Sequence, residues 1–434
     1  MSAVKIIGAG LAGCEAAWQL ATRGLAVELY DMKPEKLTPA HVSPDFAELV
    51  CSNSLRSNQL TNAVGLLKEE MRRLGSLIIS CADETSIPAG GALAVDRESF
   101  ASLVTSHIMG HPLIKVIHQE VTEIPDGKVI IASGPLTSDW LAEQLETLFP
   151  DEKLLSFFDA AAPIVTFESI DMKCAYFASR YDKGEADYIN CPMDKRQYLA
   201  FRSELLSAEE ANVHGFEEKL VFEGCIPIEV MAKRGEDTIR YGPLKPIGLP
   251  DPNTGKEPYA VVQLRMDNAE GTLYNLVGFQ THLKFSEQKR VFSMIPALQN
   301  AEFVRYGVMH RNTYVHSPKL LDRYNRLKSC PEIRFAGQIT GVEGYVESAS
   351  SGLLTGIETA RELLGQPQVD FPKETAIGAL ALYASGGSIS DFQPMNINFG
   401  LVEPLGYRVK GKQNKNLEIS KRSLAIIDGI GRQI

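Results

Sequence analysis

No stretch of this 434-residue chain approaches 18 uninterrupted apolar positions, and the N-terminus runs straight into a strand-like VKII without a basic region, an apolar leader core or a cleavage site. The pattern holds neither a membrane-spanning helix nor a secretory leader, so a cytoplasmic location with no membrane partner is the expectation. Cysteine is sparse. Cys14, Cys51, Cys81, Cys174, Cys191, Cys225 and Cys330 are scattered, odd in number, and form no CxxC pair or ligand-like Cys/His spacing. That argues against a disulfide framework and against a zinc site, and no bound metal is expected. Internal repeats and low-complexity tracts are also lacking. Only residues 382–398 read as a long loop, either a lid or a docked segment. Positive charge is in deficit, 44 Lys and Arg against 54 Asp and Glu for a net charge of -10. Such a balance repels polyphosphate unless cations cluster locally. They do so twice: as Arg305, His310, Arg311, His316, Lys319, Arg323, Arg326 and Lys328, and as Arg408, Lys410, Lys412, Lys415, Lys421 and Arg422. Either run is a solvated face or a phosphate-binding surface.

What is present begins at Val4. A strand (VKII), the turn Gly8-Ala9-Gly10-Leu11-Ala12-Gly13, a helix (CEAAWQLATRG) and a second strand ending on Asp31 (VELYD) follow one another. This order is that of a dinucleotide-binding βαβ unit. Gly8 permits the sharp turn, Gly10 lets backbone N–H groups approach a pyrophosphate, and Gly13 allows close helix–strand packing. Asp31 is placed to accept hydrogen bonds from an adenosine ribose.

Two later segments join it. Residues 114–134 alternate as β structure (IKVIHQEVTEI, then KVIIASG) around an Asp126-Gly127 turn signal and end on Ser133-Gly134. Residues 332–364 give a short strand (IRFAG), a glycine-rich bend through Gly337, Gln338 and Gly341, and a long helix of small residues beginning near Tyr345. Strand-to-glycine junctions at the start, middle and end of the chain imply one nucleotide-binding domain interrupted by an insertion. The fold expected is α/β, a glutathione-reductase-type FAD-binding Rossmann domain interrupted by a mixed α/β domain. Its boundaries are read as 1–92, 112–165 and 315–434 for the nucleotide domain, and 93–111 and 166–314 for the insertion, which serves as substrate domain. FAD is favoured over NAD as the resident cofactor, because no second GxGxxG domain with an acid-tipped strand is visible.

Two cysteines stand in polar or small-residue surroundings. Cys51, in LVCSNSLRSN, has serines, an asparagine and Arg56 beside it, and Cys225, in FEGCIPIEV, follows a glycine and precedes a proline. Donors and cations of this kind favour thiolate over thiol. Cys14 and Cys81 read as packed small residues.

The segments GAGLAGCEAAW, DMKPEKLTPAH, ELVCSNSLRSN, FEGCIPIEVMAKRGEDTIRYGPLKPIGL, YGVMHRNTYVHSP and FAGQITGVEGYVESASSGLLTG, spanning residues 4–360, resemble the folate- and FAD-dependent tRNA (uracil-5-)-methyltransferases. His316 departs from the asparagine usual there. The resemblance implies methylation of a uridine at C5, with the T-loop uridine as target, methylenetetrahydrofolate as one-carbon donor, FAD as reductant and NADH or NADPH as the electron source. No obligate protein partner is then expected. C5 of uracil is a poor nucleophile until a thiolate adds at C6. The resemblance points to Cys225 for that role and to Cys51 as a second essential thiol near the flavin, with their order left open. Tyr345, after the glycine bend, is the candidate to stack on the isoalloxazine or the pterin, and Arg311, Asn312, Lys410 and Lys412, in or beside the two basic runs, are the candidates for RNA contact. An S-adenosylmethionine route would need no flavin, so the glycine fingerprint favours folate. Two alternatives remain: an FAD-dependent partner in wobble-uridine modification, which needs a second protein, and a small-molecule flavin oxidoreductase.

Overall fold

The computed structural model describes residues 2–38, 40–150, 152, 154–182, 185–211, 226–386 and 392–434; for 157–159, 182, 310 and 311 it describes the backbone alone. Strand β1 (Val4–Ile7), helix α1 (Leu11–Ala21) and strand β2 (Val27–Asp31) form the expected unit, with Val4 paired to Val27 and Ile7 to Tyr30 in parallel register. Alternation along β1 sends Ile6 into one core with α1 and Ile7 into another with Ile131, Leu141 and Leu145, so the sheet is covered on both faces. The six strands run in the order 326–327, 330–335, 129–131, β1, β2, 114–118, parallel except at the first pair. Strands 114–118 and 129–131 therefore do not pair around Asp126-Gly127. β1 and β2 stand between them: 129–131 is buried throughout inside the sheet, and 114–118 closes it as an edge strand with only Ile114 buried.

Helix Tyr345–Leu363 lies against α1. Its small residues explain the close approach: a Cβ on Gly352 would meet the Ala12 carbonyl oxygen at 2.2 Å, and one on Gly356 the Ala16 carbonyl oxygen at 2.9 Å. Only glycine allows the two backbones this near.

A second sheet is antiparallel, in the order 176–177, 188–193, 260–266, 273–276, 164–166, 303–305. Its core is separate and includes Tyr198, Phe201, Phe279 and Phe292. The chain crosses from one sheet to the other along Leu155–Ala160 and returns along Met309–Tyr314, which pair with each other. The mixed insertion is thus found as expected, with two differences at its edges. Residues 93–111, expected in the insertion, bury Phe100, Val104 and Ile108 in the core of the first sheet, where helix Arg97–Gly110 packs against α1. The boundary expected at 165/166 falls inside the strand Ile164–Thr166. Of residues 382–398, the first four end the helix Ala376–Ser385 and 387–391 lie outside the described residues.

His282, 2% exposed, holds two parts of the insertion together. Its Nδ1 is 2.6 Å from Glu229 and its Nε2 is 3.0 Å from Glu210. Glu229 also accepts from the Thr281 hydroxyl at 2.9 Å and the His282 backbone N–H at 2.8 Å. Burial alone would lower the imidazole pKa, but hydrogen bonds and charges from Glu229 and then Glu210 raise it above its ordinary value. A raised folded-state pKa contributes stability that is fully present below about pH 6.5 and is lost as pH rises through the folded value. His282→Gln is therefore expected to destabilise by about 2 kcal/mol at pH 6, with a smaller deficit at pH 9. Denaturant titrations of both proteins at the two pH values check this, and a deficit that grows with pH contradicts it.

Candidate active site

A cavity of about 520 Å³ lies between the C-terminal ends of the parallel strands and the second sheet. Gly8, Ala9, Gly10, Leu11 and Ala12 line it, with Asp31, Ser133, Gly134, Gly337, Gln338, Cys51 and Tyr345. Segments far apart in sequence thus meet in one wall, as the three glycine junctions suggested.

The turn Gly8–Gly13 divides its labour. Gly8 has φ +102°, and a Cβ there would lie 2.5 Å from the Ala132 carbonyl oxygen. A Cβ on Gly13 would lie 1.8 Å from the Gly8 carbonyl oxygen, so Gly13 shapes the turn without lining the cavity. Gly10 has open space within 4 Å of its Cβ direction and caps α1 with no side-chain hydrogen bond, leaving the helix N–H groups turned toward the cavity. These residues fit the pyrophosphate of a dinucleotide such as FAD. Asp31 accepts from the Ala9 N–H at 2.7 Å and the Lys33 N–H at 2.8 Å. Each carboxylate oxygen keeps a second lone pair for a ribose hydroxyl.

At the late segment, Gly337 has φ +83° and its Cβ would meet the Ala12 Cβ at 2.7 Å, while Gln338 donates to Glu343 at 2.6 Å. Gly341, expected beside the cofactor, is packed against Phe392, where a Cβ would come within 2.4 Å, and does not line the cavity. Its role there is the left-handed turn (φ +77°) that ends the bend.

The Cys51 loop is held from three sides. The Tyr345 hydroxyl accepts the N–H of Cys51 at 2.7 Å and of Ser52 at 3.3 Å. Burial, followed by the neighbouring Cys51, pushes the Tyr345 phenol well above its ordinary pKa, so it stays a neutral hydroxyl. From the second sheet, Arg265 donates to Asn53 at 3.1 Å and Ser52 at 2.7 Å. Asn53 in turn donates to the carbonyls of Val95 and Met266, both at 3.0 Å. The Arg97 guanidinium, paired with Asp267 at 2.9 Å, lies within electrostatic reach of Cys51 and Tyr345. Burial raises the pKa of Cys14 and pushes Cys81 up to about 12, as packed thiols require.

Sequence reasoning missed Arg265 and Arg97. A signal for the first existed: a charge inside the apolar run YAVVQLRM, at a central strand, calls for a buried partner. Arg97 carried no such mark.

Cys225 lies outside the described residues. Ile228, three positions later, donates its N–H to the carbonyl of Gln280 at 2.8 Å, and Gln280 lines the cavity. The side chain of Arg311 also lies outside the described residues. Asn312 is buried in the cavity wall. Within the first basic run, Lys319 is paired with Glu152, Arg323 with Asp370, Arg326 with Asp322, and Lys328 with the carbonyls of Pro318 and Lys319. His316 is buried. Lys410 and Lys412 are exposed, and Lys412 opens the helix Lys412–Gly431, whose first turn holds no acid. Among the described residues, no cluster of His, Cys, Asp and Glu could hold a metal ion, and no helix is long and apolar enough to cross a membrane.

The glucose inhibited division protein A family model matches residues 3–367. The methylenetetrahydrofolate--tRNA-(uracil-5-)-methyltransferase TrmFO of Acetivibrio thermocellus is 62% identical over 425 residues, covering 98% of this chain and 97% of that protein. The protein of the same name from Lactobacillus gasseri is 62% identical over 422 residues, covering 97% and 96%. The GidA structure from Aquifex aeolicus superposes with a TM-score of 0.71 at 16% identity, over 99% of this chain and 73% of that one, which shows a shared fold. By these matches the chain belongs to the glucose inhibited division protein A family, among its methylenetetrahydrofolate--tRNA-(uracil-5-)-methyltransferases.

Proposed function

We propose that this protein methylates C5 of a uridine in tRNA, the T-loop uridine, with methylenetetrahydrofolate as the one-carbon donor. The observation that carries the reading is the full-length 62% identity to relatives bearing that name, on a chain whose glycine turn and Cys51 loop open into one cavity. Gly8, Gly10 and Asp31 would hold FAD, which, once reduced by NADH or NADPH, would supply the two electrons that take a carbon at the formaldehyde level to a methyl group.

The chain's own residues supply the rest. A thiolate adds to C6 of uracil, and the electron pair displaced to C5 attacks the methylene carbon as one of its two C–N bonds to folate breaks. Loss of the C5 proton then expels the second folate nitrogen and leaves an exocyclic methylene on C5, and the thiolate leaves C6 as that carbon is reduced to methyl. Cys225 is assigned the addition. The Ile228–Gln280 hydrogen bond and the Glu229–His282 contact anchor the chain just after it beside the cavity. Cys51 is assigned the second thiol role, as proton acceptor or as protector of the resting site, with Tyr345 holding its backbone. The parallel-sheet unit, including residues 93–111, binds the cofactor and the antiparallel unit presents the substrate. A cytoplasmic enzyme working without an obligate protein partner accords with this reading.

For RNA, Lys410 and Lys412 are the phosphate contacts. Lysines at a helix N-terminus oppose the helix dipole, so their placement there suits an anion that both would bind. Lys410→Gln with Lys412→Gln is expected to weaken tRNA binding and to reduce the slope of log K against log salt by about 1–2. Filter binding across a salt series reads this, and an unchanged slope removes the assignment.

Omission assays test the function itself. Unmodified tRNA should gain 5-methyluridine only when protein, FAD, methylenetetrahydrofolate and NADH or NADPH are all present. Product formed with S-adenosylmethionine in place of folate, or only on addition of a second protein, overturns the reading.

A further inference from the structure

Asn312 is 1% exposed, lines the cavity, and among the described residues neither its Oδ1 nor its Nδ2 has a hydrogen-bond partner. Its backbone is spent in the ladder with Leu155–Ala160, so the carboxamide is the group left over. Buried amides are nearly always paired, because leaving one unpaired forfeits the hydration it gave up on folding. An orphaned amide in a cavity wall therefore marks a place where the bound molecule brings the missing donor and acceptor.

The neighbours of Asn312 say which end of the cavity this is. Thr313 donates to the Pro135 carbonyl at 2.8 Å, next to Ser133-Gly134, and Val315 donates to Ile339 at 2.8 Å, next to Gly337-Gln338. The strand is thus tied to both later glycine segments. A carboxamide offers one acceptor and one donor side by side. Its complement is a cis-lactam edge, a ring C=O beside a ring N–H.

We propose that Asn312 is a specificity residue that forms a paired hydrogen bond with the lactam edge of a heterocycle bound in this cavity. The Asn312 Nδ2 donates to the ring carbonyl and its Oδ1 accepts from the ring N–H. Flavin, pterin and uracil each carry that edge, and the inference rests on the reading of the cavity as the site where these rings meet.

The test compares wild-type protein with Asn312→Leu, which is near-isosteric but cannot pair, and with Asn312→Ala. Three affinities are measured: FAD for the apoprotein by flavin fluorescence, tetrahydrofolate for the FAD-loaded protein by calorimetry, and a uridine-containing stem-loop RNA by filter binding. At least one is expected to fall about tenfold or more in both variants, and the arm that falls identifies the heterocycle. Melting of the ligand-free Asn312→Leu protein should be no lower than wild type, since an orphaned amide contributes nothing to the empty fold. If leucine overfills the site and lowers melting, the Asn312→Ala affinities decide. All three affinities within about twofold of wild type overturn the proposal. Failure of the methyltransferase reading shows separately, as a wild-type protein that binds FAD yet leaves uridine unmethylated.

Discussion

Cys51→Ala and Cys225→Ala proteins are each expected to lose methyl transfer by at least about a thousandfold, about 4 kcal/mol of barrier, while keeping bound flavin. Without a nucleophile at C6 the C5 position has no enolate character, and no positioning effect replaces it. Removing the second thiol stops the same sequence at another step, because residues acting as a unit are not additive. Flavin retention follows from the geometry, since the cradle of Gly8, Gly10 and Asp31 makes no use of either sulfur. Tyr345→Phe is the graded case. It takes away the acceptor of the Cys51 and Ser52 N–H groups but leaves Arg265 and Asn53 holding the loop. A fall of about 10–30-fold is expected there, the equivalent of one or two lost hydrogen bonds. Nucleoside analysis of product alongside the flavin absorption spectrum separates the cases. Near-normal turnover in both alanine variants contradicts the thiol assignment, and unchanged turnover in Tyr345→Phe removes the positioning role.

Gly13→Ala is expected to abolish FAD binding and to cost about 3 kcal/mol of stability. The added Cβ would stand 1.8 Å from the Gly8 carbonyl oxygen, backbone against side chain, with no flexible group to yield. Relief requires opening the turn that links β1 to α1, and α1 is fixed on its other side by Gly352 and Gly356. Gly10→Ala provides the contrast. Space is open around its Cβ, so the fold should melt as wild type, while the methyl group projects into the approach of the pyrophosphate and lowers FAD affinity. Calorimetric melting and flavin fluorescence distinguish a fold defect from a ligand defect. A Gly13→Ala protein with wild-type melting and full flavin content contradicts the account of the turn.

The nucleotide-binding unit was legible because its chemistry is local. Turn glycines, an uncapped helix start and a carboxylate at a strand end each act within about 30 residues, and Gly8, Gly10 and Asp31 occupy the wall they were expected to occupy. The late bend through Gly337 and Gln338 was legible for the same reason. Gly341 was misread because a left-handed turn and a cofactor contact leave the same mark in a sequence, and Phe392, fifty residues away, decides between them.

Features set by distant partners were the ones lost. Lys319, Arg323 and Arg326 read equally as a solvated face or a phosphate-binding run, and the acids that pair with them lie far along the chain or in the adjoining turn. Strands 114–118 and 129–131 pair with β1 and β2 instead of each other, since hydrophobic runs specify burial and not neighbours. Arg265 reaches across to Ser52 and Asn53, more than 200 residues earlier, and only folding reveals it as the support of the Cys51 loop. Asn312, expected at an RNA surface, is in the cavity wall because its strand is the returning connection between the two sheets.

The central claim is that a carbon from folate reaches C5 of a tRNA uridine through this cavity. Unmodified tRNA transcript incubated with the FAD-loaded protein, NADH or NADPH, and methylenetetrahydrofolate labelled in its methylene carbon tests it most directly, with mass analysis of the nucleosides. Label recovered in the methyl group of 5-methyluridine, and absent with the Cys225→Ala protein, is the predicted result; unlabelled uridine beside bound, reducible flavin would contradict it.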